Sequence, residues 1–155
     1  MRALGFDVHA FDASIEMCKL TEKRTHGQVK PRHIRFEDFN DPENSWDGIW
    51  AMASLVHTEP EALSEIVAKI RRSLKPNGVF FATLKYGEQN QILKDGRRMM
   101  RISEEKLQEA FMADGDLSVV PEIRVVNGRN SNGEVDTWIN VMFVRAPEPE
   151  LRMEI

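Results

Sequence analysis

The sequence predicts an α/β fold built on an open, mostly parallel sheet. Two apolar runs, at residues 46–53 and 79–84, have the length and content of buried strands. A stripe of apolar residues at helical spacing lies between them, and two further apolar runs follow near the C-terminus. Strands that alternate with helices favour a parallel sheet, and a terminal pair of strands fits an antiparallel edge.

The N-terminal part predicts a strand followed by a helix. Residues 5–11 form a short apolar run after a glycine and predict a buried strand. Ser14 is a suitable N-cap for the helix, and Glu16 lies in the first turn, where a carboxylate interacts favourably with the helix dipole. Three residues are expected to face inward: Ile15, Cys18 and Leu20.

Polar segments separate the next two strands. A loop over residues 23–32 precedes a short strand predicted at 33–36. Residues 40–45 combine Asn, Asp, Pro and Ser, which favour turns. The third strand, at residues 46–53, is largely apolar and is therefore predicted to be buried.

The clearest helix follows the third strand. Thr58 and Glu61 have the spacing of a capping box, with Pro60 in the first turn. The apolar stripe of this helix has five members: Leu63, Ile66, Val67, Ile70 and Leu74. The Pro-Asn-Gly sequence ending at Gly78 stops the helix.

The C-terminal half predicts another strand, a helix and a hairpin. The fourth strand is expected at residues 79–84, and the polar segment at 85–98 predicts a loop. Ser103 is the predicted N-cap of a third helix, with Ile102 and Leu107 as a hydrophobic staple.

Two final strands, at residues 118–126 and 137–145, flank a turn that contains glycines and predict an antiparallel hairpin. The length of 155 residues fits one domain. We expect that domain to span residues 1–145, followed by a peripheral tail at 146–155.

Composition excludes several classes of function. The net charge of −4 argues against a broadly basic nucleic-acid binder. The chain has no apolar run long enough to span a membrane and no secretory signal, so we expect no membrane association. The single cysteine, Cys18, fits a reducing compartment, which predicts the cytoplasm. The histidines and Cys18 lack metal-ligand spacing, so we predict no metal site.

Four segments carry the motifs of one enzyme family. They are GFDVHAFDAS, RFEDF with WDGIWAMASLVH, LKPNGVFFATLKYG and DTWINVMFVR, which together cover most of residues 5–145. In this order they resemble the class I S-adenosylmethionine-dependent methyltransferases, in the subgroup of small bacterial methyltransferases. The resemblance implies a Rossmann-like fold, S-adenosylmethionine as cofactor and methyl transfer to a small-molecule acceptor. Such transfer is an in-line displacement that depends on positioning, so it requires no protein nucleophile.

The chain departs from the family at its start. Family members open with a strand and a Gly-rich loop, roughly G-x-G-x-G, which approaches the cofactor. The sequence begins at what resembles the last turn of the first helix, so we expect an incomplete fold without that strand and loop. Since the family's sheet order is 3-2-1-4-5-7-6, a central strand would be lost. We expect the second and fourth family strands to pair directly, or two chains to form a homodimer with exchanged elements.

The resemblance implies cofactor-binding residues at the ends of two family strands. Asp12, with Ala13 beside it, would accept hydrogen bonds from the ribose hydroxyls, although an acid here can instead cap the next helix. Asp38 and Phe39 would meet the adenine, and Glu37 can take the role of Asp38. An exposed acidic turn is the alternative for this second segment.

Further implied site residues lie near the acceptor. Ala51, Met52 and Ala53 would let the cofactor lie close to the backbone, and close helix–sheet packing is the alternative. His57 follows them, where a histidine can act as a general base at neutral pH or contact the backbone at a helix start. The implied substrate contacts are Lys85, Tyr86 and Arg97.

Two other interpretations remain open at this point. The chain can be a catalytically inactive methyltransferase remnant that serves as a dimeric binding or scaffold domain. It can also be part of a longer, active protein whose reading frame starts upstream of Met1. Cofactor binding distinguishes the first of these from an active enzyme.

Overall fold

The structure is a computed structural model that describes residues 1–93, 96–112, 115, 117–120, 123–129, 133 and 135–147. The chain divides into two compact units, Met1–Phe39 and Asn40–Ile155. Of the predicted tail, residues 148–155 lie outside the described part of the chain. No helix in the described ranges is long and apolar enough to cross a membrane.

The N-terminal unit contains two short parallel strands joined by a helix. Strand β1 (Phe11–Asp12) pairs with β2 (Arg32–His33), and α1 (Ile15–Arg24) connects them. The predicted cap is confirmed, because the Met17 N–H donates to Ser14 Oγ at 3.3 Å. The unit therefore has the β-α-β order expected from the sequence.

The strand predicted over residues 5–11 is wrong for most of its length. The apolar run meets β1 only at its last residue, and Phe6 is 61% exposed. Apolar residues form a strand only where a neighbouring backbone pairs with them, and β2 offers two residues. The predicted inner face of α1 is also smaller than expected, since Cys18 is buried but Ile15 and Leu20 are exposed.

Among its described residues, the C-terminal unit contains a six-stranded mixed sheet, a separate two-stranded sheet and two helices. In chain order its elements are β3 (Trp46–Met52), α2 (Leu63–Ser73), β4 (Leu74–Tyr86), β5 (Gln91–Ile92), β6 (Arg98–Met99), β7 (Arg101–Ile102), α3 (Glu104–Met112), β8 (Leu117–Val119), β9 (Arg124–Arg129) and β10 (Val135–Arg145). Two 3-10 turns, Leu55–His57 and Pro60–Ala62, lie between β3 and α2.

Strand β4 is the centre of the larger sheet. It pairs in parallel with β3 and β7 and antiparallel with β10. Strand β10 in turn pairs antiparallel with β8 and β9. The C-terminal hairpin is confirmed, but the sheet expected to be mostly parallel is mixed, because all three pairings of β10 are antiparallel. The strand predicted at residues 118–126 is divided into β8 and β9, and the loop predicted at 85–98 contains the end of β4 and the β5–β6 hairpin.

Helix α2 confirms the apolar stripe but not the capping box. All five stripe residues are at most 3% exposed, and four of them lie in α2, whereas Leu74, expected as the fifth helical member, is the first residue of β4. Thr58 instead donates from its hydroxyl to the Leu55 carbonyl at 2.8 Å, and the helix starts after Ala62 without a side-chain cap. Pro60 instead starts a 3-10 turn over Pro60–Ala62, so the α-helix begins only at Leu63.

Helix α3 starts as predicted and covers one face of the sheet. The Lys106 N–H contacts Ser103 Oγ at 3.4 Å, and Ile102 and Leu107 are both buried. The Phe111 ring lies 4.7 Å from the Phe143 ring and 5.8 Å from the Phe80 ring. This aromatic group forms the centre of the core between α3 and the sheet.

The third strand was predicted to be buried, and that prediction is wrong for one of its faces. Trp50 is 51% exposed and Met52 is 57% exposed, whereas Ala51 between them is buried. This alternation is expected for a strand with one covered face. Trp50 stacks on Phe81 of the neighbouring strand, with ring centroids 4.0 Å apart.

In the part of the chain that the structure describes, β3 pairs only with β4, while β1 belongs to a separate sheet with β2. The direct pairing expected between these two family-like strands is therefore not observed. Exchange of elements between two chains stays a prediction.

Candidate functional site

The carboxyl ends of β3 and β4 meet at one edge of the C-terminal unit, because the two strands run in parallel. Met52 is the register partner of Thr83 at this edge. The next residue, Ala53, donates its N–H to Thr83 Oγ1 at 2.7 Å and to the Thr83 carbonyl at 3.2 Å. The buried Thr83 thus fixes the point where the chain leaves β3.

Ala53 adopts a left-handed backbone conformation, with φ of 51°. This region costs an L-residue with a side chain about 1–2 kcal/mol, and it is common at functional sites where surrounding contacts hold the strain. The two hydrogen bonds to Thr83 supply such contacts. Of the three residues that the resemblance implies here, Ala51 packs in the core, and Met52 and Ala53 lie at the edge.

His57 ends the 3-10 turn that follows β3, and its side chain is exposed. Its Nδ1 lies 2.9 Å from the Arg98 carbonyl oxygen. Since a carbonyl can only accept, Nδ1 is the donor of this hydrogen bond, and in the tautomer with its proton there the lone pair is on Nε2. The backbone contact considered for this residue is therefore present, and it leaves Nε2 able to take a proton.

Lys85 lies near the end of β4 and is almost completely buried. Its ammonium forms an ion pair with Asp136 and lies 4.0 Å from the centre of the Trp138 ring. Burial lowers the pKa of the Lys85 ammonium, and the nearby positive charge of Arg101 lowers it further. The Asp136 carboxylate and the face of the Trp138 ring replace the water that would otherwise solvate the Lys85 ammonium.

Arg101 joins the same group of side chains from β7. Its Nη2 lies 3.4 Å from Asp136 Oδ1, and its Nη1 donates to the Tyr86 carbonyl at 3.0 Å. Gly87 leaves room for the side chain, because a Cβ at this position would lie 3.2 Å from Arg101 Cδ. A residue larger than glycine would thus press on Arg101.

The other two implied substrate contacts, Tyr86 and Arg97, differ in their relation to this cluster. Tyr86 is adjacent to Lys85 and offers its carbonyl to Arg101, while its side chain is partly exposed. Arg97 is exposed in the segment before β6, and its carbonyl accepts from the Leu93 N–H at 2.8 Å. The contacts described here connect Lys85 and Tyr86, but not Arg97, to the cluster.

In the N-terminal unit, Asp12 ends β1 and contacts the start of α1. Its Oδ1 accepts from the Ser14 N–H at 2.8 Å, which is the capping role considered for this acid. The neighbouring Ala13 carbonyl lies 3.0 Å from His33 Nε2. The Asp12 carboxylate has a second oxygen, Oδ2, so capping and ligand binding are compatible.

The segment expected to meet an adenine contains both exposed and buried residues. Glu37 and Asp38 are exposed, whereas Phe39 is 3% exposed. Phe39 stacks on Phe11 with ring centroids 5.4 Å apart, and Phe36 contacts Phe11 edge-on. In this structure the Phe39 ring is thus part of the packing of the N-terminal unit.

Sequence reasoning missed four residues of the candidate site: Thr83, Arg101, Asp136 and Trp138. Thr83 interrupts an apolar strand, which is a weak signal for a polar role. Arg101 and Asp136 meet because β7 and β10 both pair with the end of β4. A sequence without knowledge of this register contains no signal that brings them together.

The family comparison matches the first half of the chain. The family model described as a methyltransferase domain covers residues 1–78. No curated protein sequence matches the chain. The matched range includes Asp12, the Ala51–Ala53 corner and His57.

Solved structures show the fold over nearly the whole chain. A S-adenosylmethionine-dependent methyltransferase from Methanosarcina mazei is 15% identical, with a TM-score of 0.78 over 94% of this chain and 85% of that one. The 1,6-didemethyltoxoflavin-N1-methyltransferase of Burkholderia thailandensis, solved with 1,6-didemethyltoxoflavin and S-adenosylhomocysteine, is 18% identical, with a TM-score of 0.71 over 94% and 64%. The [4+2]-cyclase SpnF is 15% identical, with a TM-score of 0.70 over 92% and 67%. The chain therefore has a Rossmann-like methyltransferase fold.

We expect the same substitution to have opposite effects at two neighbouring alanines. Ala53→Gly removes the left-handed strain and should leave stability unchanged or raise it by up to about 1 kcal/mol. Ala51→Gly, in the buried strand, should lower stability by about 1–2 kcal/mol. Urea unfolding measured by tryptophan fluorescence reports on the C-terminal unit, because all three tryptophans lie there. Equal losses for both variants would contradict the strain at Ala53.

Proposed function

The chain belongs to the class I S-adenosylmethionine-dependent methyltransferases, and on this basis we propose that it transfers the methyl group of S-adenosylmethionine to a small-molecule acceptor. The observation that carries the proposal is the family match over residues 1–78. That range contains the acid at the end of β1, the strained corner after β3 and the histidine that follows it. These are the positions where the resemblance implies binding and proton transfer.

The donor would be held by residues that fit its polar groups. Asp12 can accept from the ribose hydroxyls through Oδ2 while Oδ1 stays on the Ser14 N–H. Glu37 and Asp38 are exposed and can accept from the adenine amine. We propose that Phe39 acts by packing, since its ring is buried, and that Ala13 contributes a small side chain. When bound, S-adenosylmethionine supplies an electrophilic methyl group on a sulfonium.

The chain's own contribution to the reaction would be orientation and removal of one proton. His57 holds Nδ1–H on the Arg98 carbonyl, so Nε2 can accept the proton that the acceptor loses. The hydrogen bonds to Thr83 fix Ala53, and the corner after β3 is therefore rigid where the acceptor is expected. Positioning of this kind supplies most of the catalysis in an in-line displacement.

The organisation and location of the enzyme follow from the same reasoning. We propose a single methyltransferase-like domain over residues 1–145, and the family match supports this proposal for residues 1–78. The single cysteine supports a reducing compartment, and we propose the cytoplasm. The acidic net charge makes nucleic acid an unsuitable partner.

A second candidate function is a dimeric binding domain without catalysis. The exposed Trp50 and Met52 lie on β3, which ends the sheet among the described residues, and such an edge favours pairing with another chain. The likeness to a [4+2]-cyclase shows that the fold alone does not specify methyl transfer. We propose a homodimer for either function.

Asp12→Asn should weaken binding of S-adenosylhomocysteine roughly ten- to a hundredfold, because a hydrogen bond to a charged group contributes about 1.5–3 kcal/mol. Asparagine keeps an oxygen for the Ser14 N–H, so the helix start stays intact. Calorimetry should give micromolar affinity, about −8 kcal/mol, for the unmodified chain. Asp7→Asn, which changes an exposed carboxylate in the same unit, serves as the control. No binding by the unmodified chain would favour the non-catalytic candidate.

His57→Gln should lower turnover by roughly 10²–10⁴-fold while the affinity for the donor product stays the same. Glutamine can still donate to the Arg98 carbonyl but is not a base. The assay measures release of S-adenosylhomocysteine across a panel of small acceptors. His33→Gln, which alters another exposed histidine in contact with a backbone carbonyl, is the matched control and should have no such effect. Equal turnover in both variants would exclude His57 as the base.

Trp50→Glu should convert the proposed dimer into a monomer, because it places a charge on the exposed face of β3. Light scattering should give twice the chain mass of 17.8 kDa for the unmodified protein and the single mass for the variant. Val135→Glu, at another exposed apolar residue, should stay dimeric. A monomeric unmodified chain would rule out the dimer.

A further inference from the structure

A cluster of four side chains at the end of β4 has no role in the proton transfer or donor binding described above. It contains Lys85, Arg101, Asp136 and Trp138. The sheet register brings them together, since Lys85 is the partner of Arg101 on one side and of Trp138 on the other. The cluster lies two residues beyond Thr83, on the same sheet edge as the corner after β3.

The cluster has one positive charge in excess. Its described members are two cations and one carboxylate. The Lys85 and Asp136 side chains are 6% and 10% exposed, so water screens their charges poorly. A buried group of this kind is costly unless a further anion compensates it.

Lys85 forms a closer ion pair with Asp136 than Arg101 does. The Lys85 ammonium is in direct contact with Oδ2, whereas Arg101 Nη2 is 3.4 Å from Oδ1. The carboxylate is therefore balanced mainly by Lys85, and the charge of Arg101 is largely uncompensated.

Arg101 is the cation of the cluster that a ligand can contact. Its side chain is 21% exposed, against 6% for Lys85. Its two described side-chain hydrogen bonds, to Tyr86 and Asp136, use two of the five N–H groups of a guanidinium. The planar fork of arginine matches the two oxygens of a carboxylate or phosphate.

We propose that the methyl acceptor carries an oxyanion, either a carboxylate or a phosphate, which binds Arg101 at the carboxyl end of β4. Lys85 is a positioning residue, because it neutralises Asp136 and so keeps Arg101 available. Gly87 permits this position of Arg101 by leaving space beside its Cδ. The proposal rests on the proposed function only in taking the anion to be part of the acceptor.

The test measures anion binding without any methyl donor. Inorganic phosphate and acetate are titrated separately at constant ionic strength, and ¹H–¹⁵N NMR follows the Arg101 Nε–H and Trp138 indole N–H signals. We expect saturable shifts for at least one anion, and the tighter of the two identifies the class of oxyanion. Shifts that do not saturate with either anion, or no shifts at all, would overturn the proposal.

Four variants separate ligand binding from a structural role. Arg101→Gln should weaken anion binding at least tenfold, and Lys85→Met should weaken it similarly because Asp136 then pairs with Arg101. Asp136→Asn should instead tighten binding severalfold. Arg98→Gln removes a positive charge from β6, in the separate two-stranded sheet, and should leave anion binding unchanged. Equal weakening by Asp136→Asn and Arg101→Gln would show that the cluster only stabilises the fold.

If Arg101→Gln fails to fold, Arg101→Lys keeps the charge and replaces the planar fork. It should bind the anion several-fold more weakly than the unmodified chain, and unchanged affinity would overturn the role of the guanidinium. Calorimetry with S-adenosylhomocysteine on the same proteins separates the two proposals. Arg101→Gln should keep normal affinity for that ligand, and Asp12→Asn should keep normal anion binding.

Discussion

Strand β4 holds the C-terminal unit together because it is hydrogen-bonded along both edges. Residues 79–83 of β4 pair in parallel with β3 along one edge and antiparallel with β10 along the other. One face of the three strands contributes Phe80 and Phe143 to the core under α3. The directions of these strands decide which strand ends lie together, and this fixes the position of the candidate site.

The candidate site combines groups that are far apart in the sequence. Ala53 and His57 follow β3, while Lys85 ends β4 and faces Asp136 from the start of β10. Each group is held by a neighbour: Thr83 for Ala53, the Arg98 carbonyl for His57, and Trp138 for Lys85. The edge of the sheet is thus organised before any ligand arrives, which reduces the ordering cost of binding.

Patterns with a strong local cause were predictable from the sequence. The stripe of α2 and the caps at Ser14 and Ser103 depend on spacing within a few residues, and the structure confirms them. The capping box at Thr58 was wrong because Pro60 changed the local geometry. The strand predicted over residues 5–11 was wrong because a strand needs a neighbouring backbone to pair with, and apolar residues do not specify that neighbour. The meeting of Lys85 with Asp136 depends on strand register, and the left-handed Ala53 occupies a position where glycine or asparagine would be expected.

The place of β10 in the sheet has a consequence for how the protein is made. β10 is the last described strand in the chain, yet it lies between β4 and the strands β8 and β9. During synthesis, β4 can pair with β3 early, but its other edge stays open until the ribosome has completed residue 145. At about 5–20 residues per second this interval lasts several seconds. Throughout it one edge of β4 in the nascent chain is unpaired, and an unpaired strand edge favours pairing with other chains.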